Sequence, residues 1–306
     1  MAALTNTAPP RALSFACGLS LALRGDAELV RSTSLALPLL FVDEPPQTAQ
    51  PLWTLQFERV RAPVGLSVPD SSPAWRAVLE TEEIETPWGR VVLSSDRVCR
   101  IIMPGRAGFG VLLHLAIGGI LRRTRRLQVH AAALCPQQSS HTLLFVGPSG
   151  AGKTTLALNL ARSGWRFLSD DSVVLTETGG GFHATAVRPG FRIVREGRAA
   201  KDLLDPDEEF PGQRLRSAPV GIVVFTEQSG TRTSSLSPLS RAQTFARLPA
   251  ATPEFGPGEE ARWQLGVIAR LAGLPSFVLN AGRDVLSERG DVALLLRDVL
   301  FAARAA

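Results

Sequence analysis

The sequence predicts an α/β protein in which helices flank a mixed sheet built around a phosphate-binding loop, preceded by a smaller β-rich N-terminal domain. Two observations predict this fold class. Residues 147–154 read G-x-x-x-x-G-K-T, directly after an apolar run of strand length and directly before an amphipathic run. From residue 127 onward strand-like runs alternate with runs of helical period, whereas the chain begins with short apolar runs separated by Pro, Gly and Asp clusters.

A change of hydrophobic period after Pro104-Gly105 marks the expected domain boundary. From Phe109 to Ile120 the apolar residues recur at the spacing of an amphipathic or buried helix. The chain of 306 residues is long enough for two domains, since single domains commonly have about 100 to 200 residues. We therefore predict a β-rich domain of unassigned role over residues 1–104 and a phosphate-loop domain over residues 105–306.

The N-terminal part shows a hairpin pattern but no catalytic pattern. Residues 82–85 and 91–94 are expected to pair around Pro87-Trp88-Gly89. The acidic run Glu80–Glu85 is interpreted as a solvated strand face rather than as a metal site.

Composition is that of an ordinary globular protein, with 45% hydrophobic and 20% charged residues. Cys17, Cys99 and Cys135 are far apart and are expected to be reduced thiols, which favours a cytoplasmic protein. The apolar stretch Gly108–Leu121 is too short to cross a bilayer, which needs about 20 residues, so no transmembrane segment is expected. No C-x-x-C or H-E-x-x-H spacing supports a zinc site.

The positive charge of the chain is almost entirely arginine, which sets its two lysines, Lys153 and Lys201, apart. Four arginines between residues 122 and 126 follow the predicted helix and are expected to be solvated at its C-terminus. A docking patch for an acidic or phosphorylated partner is the alternative. Nucleic-acid binding is not expected, because no aromatic residues or base-reading module accompany the arginines.

Each part of the phosphate loop, residues 147–155, has a chemical task. The glycines permit close backbone approach and positive φ, Lys153 reaches the β and γ oxygens, and the Thr154 hydroxyl is placed to bind Mg²⁺. We therefore predict ATP and Mg²⁺ as ligands. The predicted nucleotide-binding residues are Gly147, Pro148, Ser149, Gly150, Ala151, Gly152, Lys153, Thr154 and Thr155.

An Asp170-Asp171 pair ends the predicted strand Trp165–Ser169, one helix after the loop. Ligands of α/β sheets bind beyond the carboxyl ends of strands, so we expect these carboxylates to face the γ-phosphate. One would hold Mg²⁺ and the other would accept a proton from an attacking hydroxyl. His130, in the middle of the predicted strand Leu127–Leu134, is either a core residue or a group beside Asp170 that tunes it.

The segments VHAAAL, GPSGAGKTT and GWRFLSDDSVVL together resemble the C-terminal catalytic domain of the HPr kinase/phosphorylase family. The resemblance implies a phosphoenolpyruvate-carboxykinase-like P-loop fold and transfer of phosphate from a nucleotide to a serine hydroxyl of a protein or peptide. It implies that Asp170 is the proton acceptor, His130 its partner, Lys153 the phosphate lysine and Thr154 the metal-binding hydroxyl. Asp171 is our inference for a second metal contact. Hexamers occur in that family, which makes a homo-oligomer an expectation.

The chain also departs from that family. The glutamate-containing magnesium signature that follows the aspartates in bifunctional members has only Glu196-Gly197 as a nearest counterpart here. The later catalytic arginine has two candidates, Arg241 and Arg214. These departures favour a kinase without the phosphorylase activity.

Two other functions are open at this point. One is a nucleotide-binding regulatory protein that hydrolyses slowly or not at all and acts by binding a partner. The other is a transporter-type ATPase, which has a similar loop. It is disfavoured because no L-S-G-G-Q signature follows.

Overall fold

The computed structural model describes residues 7–15, 17–36, 43–44, 53–60, 74–78, 81–187, 191–194, 201–204, 206–252, 256, 258–286 and 292–298. Its contacts divide the chain into two compact units. The first comprises Met1–Arg125 with Gly256–Glu260, and the second comprises Arg126–Phe255 with Ala261–Ala306.

The first unit contains a mixed sheet in the strand order β3-β1-β2-β4-β8-β7-β6-β5. The β2–β4 and β4–β8 pairs are parallel and the other pairs are antiparallel. Its strands are β1 (Thr7–Phe15), β2 (Ser20–Asp26), β3 (Asp43–Glu44), β4 (Trp53–Arg59), β5 (Ala74–Val78), β6 (Thr81–Thr86), β7 (Gly89–Ser94) and β8 (Val98–Met103). The β6–β7 hairpin confirms the predicted pairing, with Thr86 opposite Gly89 across the turn.

Two helices belong to this unit, α1 (Ala27–Ala36) and α2 (Phe109–Arg123). Helix α1 is not predicted from the sequence. Asp26 marks its start, because the Oδ1 of Asp26 accepts hydrogen bonds from the N–H groups of Glu28 and Leu29. Helix α2 packs so closely on the sheet that a Cβ on Gly119 would lie 2.6 Å from Leu93. The chain therefore divides after Arg125 rather than after residue 104, because α2 packs against the strands that precede it.

A buried ion cluster joins α2 to β6. Arg122 contacts Glu82 at 2.5 Å and Glu260 at 3.1 Å, and the Arg122 and Glu82 side chains are only 3% and 2% exposed. Burial raises the pKa of Glu82, and the adjacent Arg122 opposes that rise. The prediction that the Glu82 and Arg122 side chains are solvated is therefore wrong, because both are buried and form an ion pair with each other.

Replacing Arg122 with Met is expected to lower the free energy of unfolding by about 3 to 5 kcal/mol, because a buried carboxylate then loses its counter-charge. In the folded protein the pKa of Glu82 lies above its usual value. As the pH falls through this raised pKa, the carboxyl takes up a proton, so the loss of unfolding free energy caused by Arg122→Met becomes smaller. Chemical denaturation at several pH values measures the effect. Arg106→Met, which removes an exposed partner of Glu28, is the control and should cost at most about 1 kcal/mol. Equal losses in the two variants would contradict the prediction.

The second unit contains a larger mixed sheet in the order β12-β10-β11-β17-β14-β13-β9, with β19 beside β17 and β18 beside β19. These strands are β9 (Leu127–Val129), β10 (Ala131–Cys135), β11 (Thr142–Val146), β12 (Arg166–Ser169), β13 (Val173–Thr178), β14 (Gly181–Ala186), β17 (Ser217–Gln228), β18 (Ser235–Pro238) and β19 (Ser276–Ala281). A separate antiparallel pair is formed by β15 (Phe191–Val194) and β16 (Lys201–Leu204).

The helices after α2 are α3 (Lys153–Arg162), α4 (Pro206–Glu209), α5 (Arg241–Arg247) and α6 (Gly258–Leu271). Single 3₁₀ turns occur at Leu248–Ala251 and Arg283–Leu286, and residues 292–298 are helical. Helix α3 buries Leu156, Ala157 and Leu160 in one core with Phe145 of β11 and Phe167 of β12. Burial of each Leu or Phe side chain contributes about 1.5 to 3 kcal/mol, so this packing holds the start of α3 against the sheet.

The predicted strand Leu127–Leu134 is in fact two strands, which separate at His130. β9 pairs with β13, whereas β10 pairs with β11 and β12. The backbone N–H of His130 donates to the carbonyl of Ala251 at 2.7 Å instead of to a strand. An apolar run of even hydrophobicity does not reveal such a change of partner, because both halves are buried.

Parallel and antiparallel pairs occur in both large sheets, so the chain has a mixed α/β fold. None of the helices that the structure describes combines the length and the apolarity needed to cross a membrane.

Candidate active site

Three segments that are separate in the sequence meet at one edge of the second sheet. Strand β10 runs antiparallel to β11, and its first residue, Ala131, lies opposite Val146 at the end of β11. Strand β12 runs antiparallel to β10, so its last residue, Ser169, lies opposite Ala133. The phosphate loop after β11, His130 before β10 and the aspartates after β12 therefore share this edge.

The carboxyl ends of two further strands lie at the same edge. Strand β17 is parallel to β11, with Phe225 opposite Val146, and it continues to Gln228. Strand β19 is parallel to β17 and ends with Ala281 opposite Gln228. This edge is therefore the place at which open α/β sheets bind ligands.

The glycines of the phosphate loop are required by its backbone. A Cβ on Gly147 would lie 2.6 Å from the Thr226 hydroxyl and 2.8 Å from its carbonyl oxygen, so only glycine fits there. Gly150 and Gly152 have φ values of 84° and 85°, which favour glycine. The N–H of Ala151 donates to the carbonyl of Pro148 at 3.1 Å and closes the turn before α3.

Lys153 is the first residue of α3, and its ammonium group lies over the loop. Its Nζ donates to the carbonyl oxygens of Gly147 at 2.7 Å and Pro148 at 3.0 Å, and the residue is 6% exposed. Thr154 is half-buried and Thr155 is exposed, as are Pro148 and Ser149. The loop therefore offers exposed backbone and one oriented cation at a helix N-terminus, an arrangement that favours phosphate.

The turn that carries the aspartates is stabilised by Ser169. Its hydroxyl oxygen accepts hydrogen bonds from the N–H groups of Asp171 at 3.4 Å and Ser172 at 3.2 Å. Asp170 is 2% exposed, whereas the Asp171 side chain is 30% exposed. The two carboxylates thus differ in their access to solvent.

His130 contacts the second aspartate of the pair. Its Nδ1 lies 3.3 Å from Oδ1 of Asp171, and the contact is ionic when the imidazole is protonated. The contact follows from the pairing of β9 with β13, in which Val129 lies opposite Val173 and brings the adjoining residues together. The partner predicted from the sequence is Asp170; the contact that the structure shows is with Asp171.

The donor set at this edge fits Mg²⁺ chemically. Thr154 offers a hydroxyl and Asp171 a carboxylate, and hard oxygen donors are the ones Mg²⁺ prefers. Within the ranges that the structure describes, no group of three or more His, Cys, Asp or Glu side chains is arranged to hold a metal by itself. Mg²⁺ is commonly held by one or two carboxylates together with phosphate oxygens and water, so this small set suits a nucleotide-bound ion.

The two arginines predicted as candidates for the later catalytic arginine make contacts with residues of other elements, α6 and α4. Arg241 donates to the carbonyl of Ala269 at 3.1 Å, and Arg214 pairs with Asp207 at 2.7 Å. Glu196-Gly197 lies outside the described residues.

A cavity of about 250 Å³, which is not predicted from the sequence, lies beside the loop. It is lined from α3 by Thr155 and Leu156, from the end of β17 by Gln228, and from the end of β19 onward by Ala281, Arg283 and Val285. Gln228 also donates through Nε2 to the carbonyl of Gly150 at 2.8 Å. The apolar run Val220–Phe225 predicts a strand that ends at Phe225, whereas β17 continues to Gln228. The polar residues that follow this run are the signal that the sequence offers.

No protein-family model and no curated protein matches this chain. Among solved structures, the HPr(Ser) kinase/phosphatase from Coxiella burnetii is similar to it, with a TM-score of 0.37 and 13% sequence identity, over 58% of this chain and 90% of that chain. A similarity at this level makes the two proteins distant structural neighbours and by itself assigns no activity.

Proposed function

We propose that this protein is an ATP-dependent kinase of the HPr-kinase-like type, which transfers the γ-phosphate to a serine hydroxyl of a protein or peptide. One observation supports the proposal above the others. A glycine loop with a buried lysine and a turn with two aspartates share one sheet edge. Phosphoryl transfer needs both a phosphate cradle and a group that takes the acceptor's proton.

The loop and Lys153 bind and orient the phosphates. Ser149, Gly150 and the start of α3 present N–H groups to the anion, and the Lys153 ammonium adds a full positive charge. The two carbonyls that accept from Nζ hold the lysine against the loop before any phosphate arrives. Little reorganisation is then needed when charge shifts during transfer. Mg²⁺ held by Thr154 and Asp171 would neutralise phosphate charge.

Asp170 is the proposed general base. The serine hydroxyl gives its proton to the Asp170 carboxylate while the serine oxygen forms a bond to the γ-phosphorus. The bond from that phosphorus to the bridging oxygen breaks, and ADP leaves with the electron pair. The contact of His130 with Asp171 keeps the neighbouring carboxylate oriented at the same edge.

Transfer of label from [γ-³²P]ATP tests this function. The purified protein is incubated with Mg²⁺, labelled ATP and a host-cell extract, and labelled proteins are hydrolysed to identify the phosphoamino acid. Phosphoserine that depends on the added protein is the expected result. If ATP binds but no protein or peptide acquires label, the kinase proposal is wrong.

A nucleotide-binding regulatory protein is the second candidate. The burial of Asp170 favours it, because a base that is 2% exposed needs a local rearrangement before it reaches a hydroxyl. Under this function ATP binding changes the affinity for a partner and no phosphoprotein forms.

Replacing Asp171 with Asn is expected to raise the Mg²⁺ concentration that gives half-maximal activity by about 10-fold or more, since even outer partners of a metal contribute 10- to 100-fold to its binding. Initial rates over a series of Mg²⁺ concentrations measure this effect. Asp207→Asn, which alters an exposed carboxylate paired with Arg214, should leave the Mg²⁺ dependence unchanged. An unchanged dependence in Asp171→Asn would remove this residue from the proposed metal site.

A further inference from the structure

The cavity beside the phosphate loop lies on the opposite side from the aspartates. In the sheet order, β10 and β12 lie on one side of β11, and β17 and β19 lie on the other. Asp170 and Asp171 directly follow β12 on the first side, whereas Gln228, Ala281 and Arg283 line the cavity on the second, together with Ala151 and Gly152 of the loop itself. A molecule bound along the loop therefore has a chemically different environment at each of its ends.

The lining of the cavity combines an apolar surface with a polar edge. Leu156, Ala281 and Val285 contribute apolar groups, and Gln228 and Arg283 contribute hydrogen-bond donors and a positive charge. The volume of about 250 Å³ is below the roughly 300 to 1,000 Å³ of pockets that enclose a whole drug-sized ligand. It therefore suits part of a larger molecule whose remainder lies outside.

The far wall of the cavity is held in place by hydrogen bonds. Asp284 accepts from the N–H of Ser234 at 2.7 Å and from its hydroxyl at 2.6 Å, and the N–H of Gly282 donates to that hydroxyl at 2.9 Å. The side chain of Asn159 on α3 donates to the carbonyl of Val285. The same helix thus carries the phosphate loop and supports the cavity wall, so the two are preorganised together.

We propose that this cavity binds the nucleoside half of ATP. The base packs against Leu156 and Val285, and Gln228 and Arg283 contact the polar edges of the base or ribose, where the planar guanidinium is suited to stacking. Ala151, Gly152 and Thr155 belong both to the loop and to the cavity lining. The phosphate chain then runs toward the aspartates, which leaves the γ-phosphate on their side. This inference rests on the proposed function, because it takes the bound molecule to be a nucleotide.

Calorimetric titration with two probes, ATP and tripolyphosphate, tests the inference without relying on activity. Ala281→Leu adds bulk inside the cavity and is expected to weaken ATP binding by about 10-fold or more, as overpacking commonly does. Its affinity for tripolyphosphate, which has no nucleoside, should stay within about twofold. Arg283→Ala, an exposed position that leaves the core unchanged, should weaken ATP binding in the same selective way. The matched control is Ala246→Leu on the exposed face of α5, which should change neither affinity.

The outcomes separate this inference from the kinase proposal. If wild-type protein binds ATP and both variants bind it equally well, or if ATP and tripolyphosphate lose affinity together, the nucleoside site is overturned while the kinase proposal stands. If the variants lose ATP selectively but no phosphoprotein ever forms, the nucleoside site is supported and the kinase proposal fails. If wild-type protein binds no ATP, both are overturned.

Discussion

Replacing Asp170 with Asn is expected to lower the rate of phosphoryl transfer by about 10²- to 10⁴-fold, the range that a general base contributes. Asn has nearly the same shape as Asp, so the side chain that is 2% exposed is replaced without a cavity. What the variant loses is the carboxylate oxygen that takes the serine proton. ATP affinity should stay within about twofold of wild type, since an interaction used only during transfer affects the rate and not ground-state binding.

Single-turnover transfer and calorimetric ATP titration measure the two quantities separately. Glu177→Gln is a suitable control, because it neutralises a carboxylate of the same sheet that pairs with Arg270 on the surface. If Asp170→Asn retains its transfer rate while Asp171→Asn loses it, the base is Asp171, oriented by His130. The different exposures of the two carboxylates make this a real alternative.

Replacing Lys153 with Ala is expected to weaken ATP binding by about 10- to 100-fold, because hydrogen bonds to a charged group contribute roughly 1.5 to 3 kcal/mol. Transfer at saturating ATP should fall by a further 10²- to 10³-fold, as it does when a preorganised donor to the developing charge is removed. Lys153→Arg should recover little, since the planar guanidinium does not match a compact ammonium that donates to two adjacent carbonyls.

The control for this prediction removes a cation from the other end of the same helix. Arg162 lies in the last turn of α3 and is exposed, so Arg162→Ala changes the net charge by the same amount without touching the loop. Thermal unfolding of each variant separates lost binding from lost stability. If Lys153→Ala and Arg162→Ala bind ATP equally well, the loop is not a phosphate site.

The conformation of the glycine-rich loop and the start of α3 were predictable from the sequence because their physical requirements are local. The glycines that need positive φ, the lysine and the following amphipathic helix are contiguous, and the strand before them is a continuous apolar run. The β6–β7 hairpin was predictable for the same reason, since its turn and both strands lie within about 14 residues.

The partners of charged residues were not predictable, because charge alone does not reveal burial. In the sequence, Glu82 lies in an acidic run typical of a solvated strand face, and Arg122 lies at the C-terminus of a predicted helix. In the structure each is almost inaccessible and lies against the other. Similarly, the partner of His130 depends on β9 pairing with β13, a contact between segments about 40 residues apart.

The sequence by itself determined that the chain carries a glycine-rich loop with a lysine at the start of a helix, with a pair of carboxylates one helix later. Only the tertiary structure decided that β10 lies between β11 and β12 and turns both of their ends toward one edge. It also decided that α3, β17 and β19 enclose a cavity beside the loop. The physical reason is that strand order and register depend on packing between distant segments, whereas turn geometry and helix starts depend on neighbouring residues.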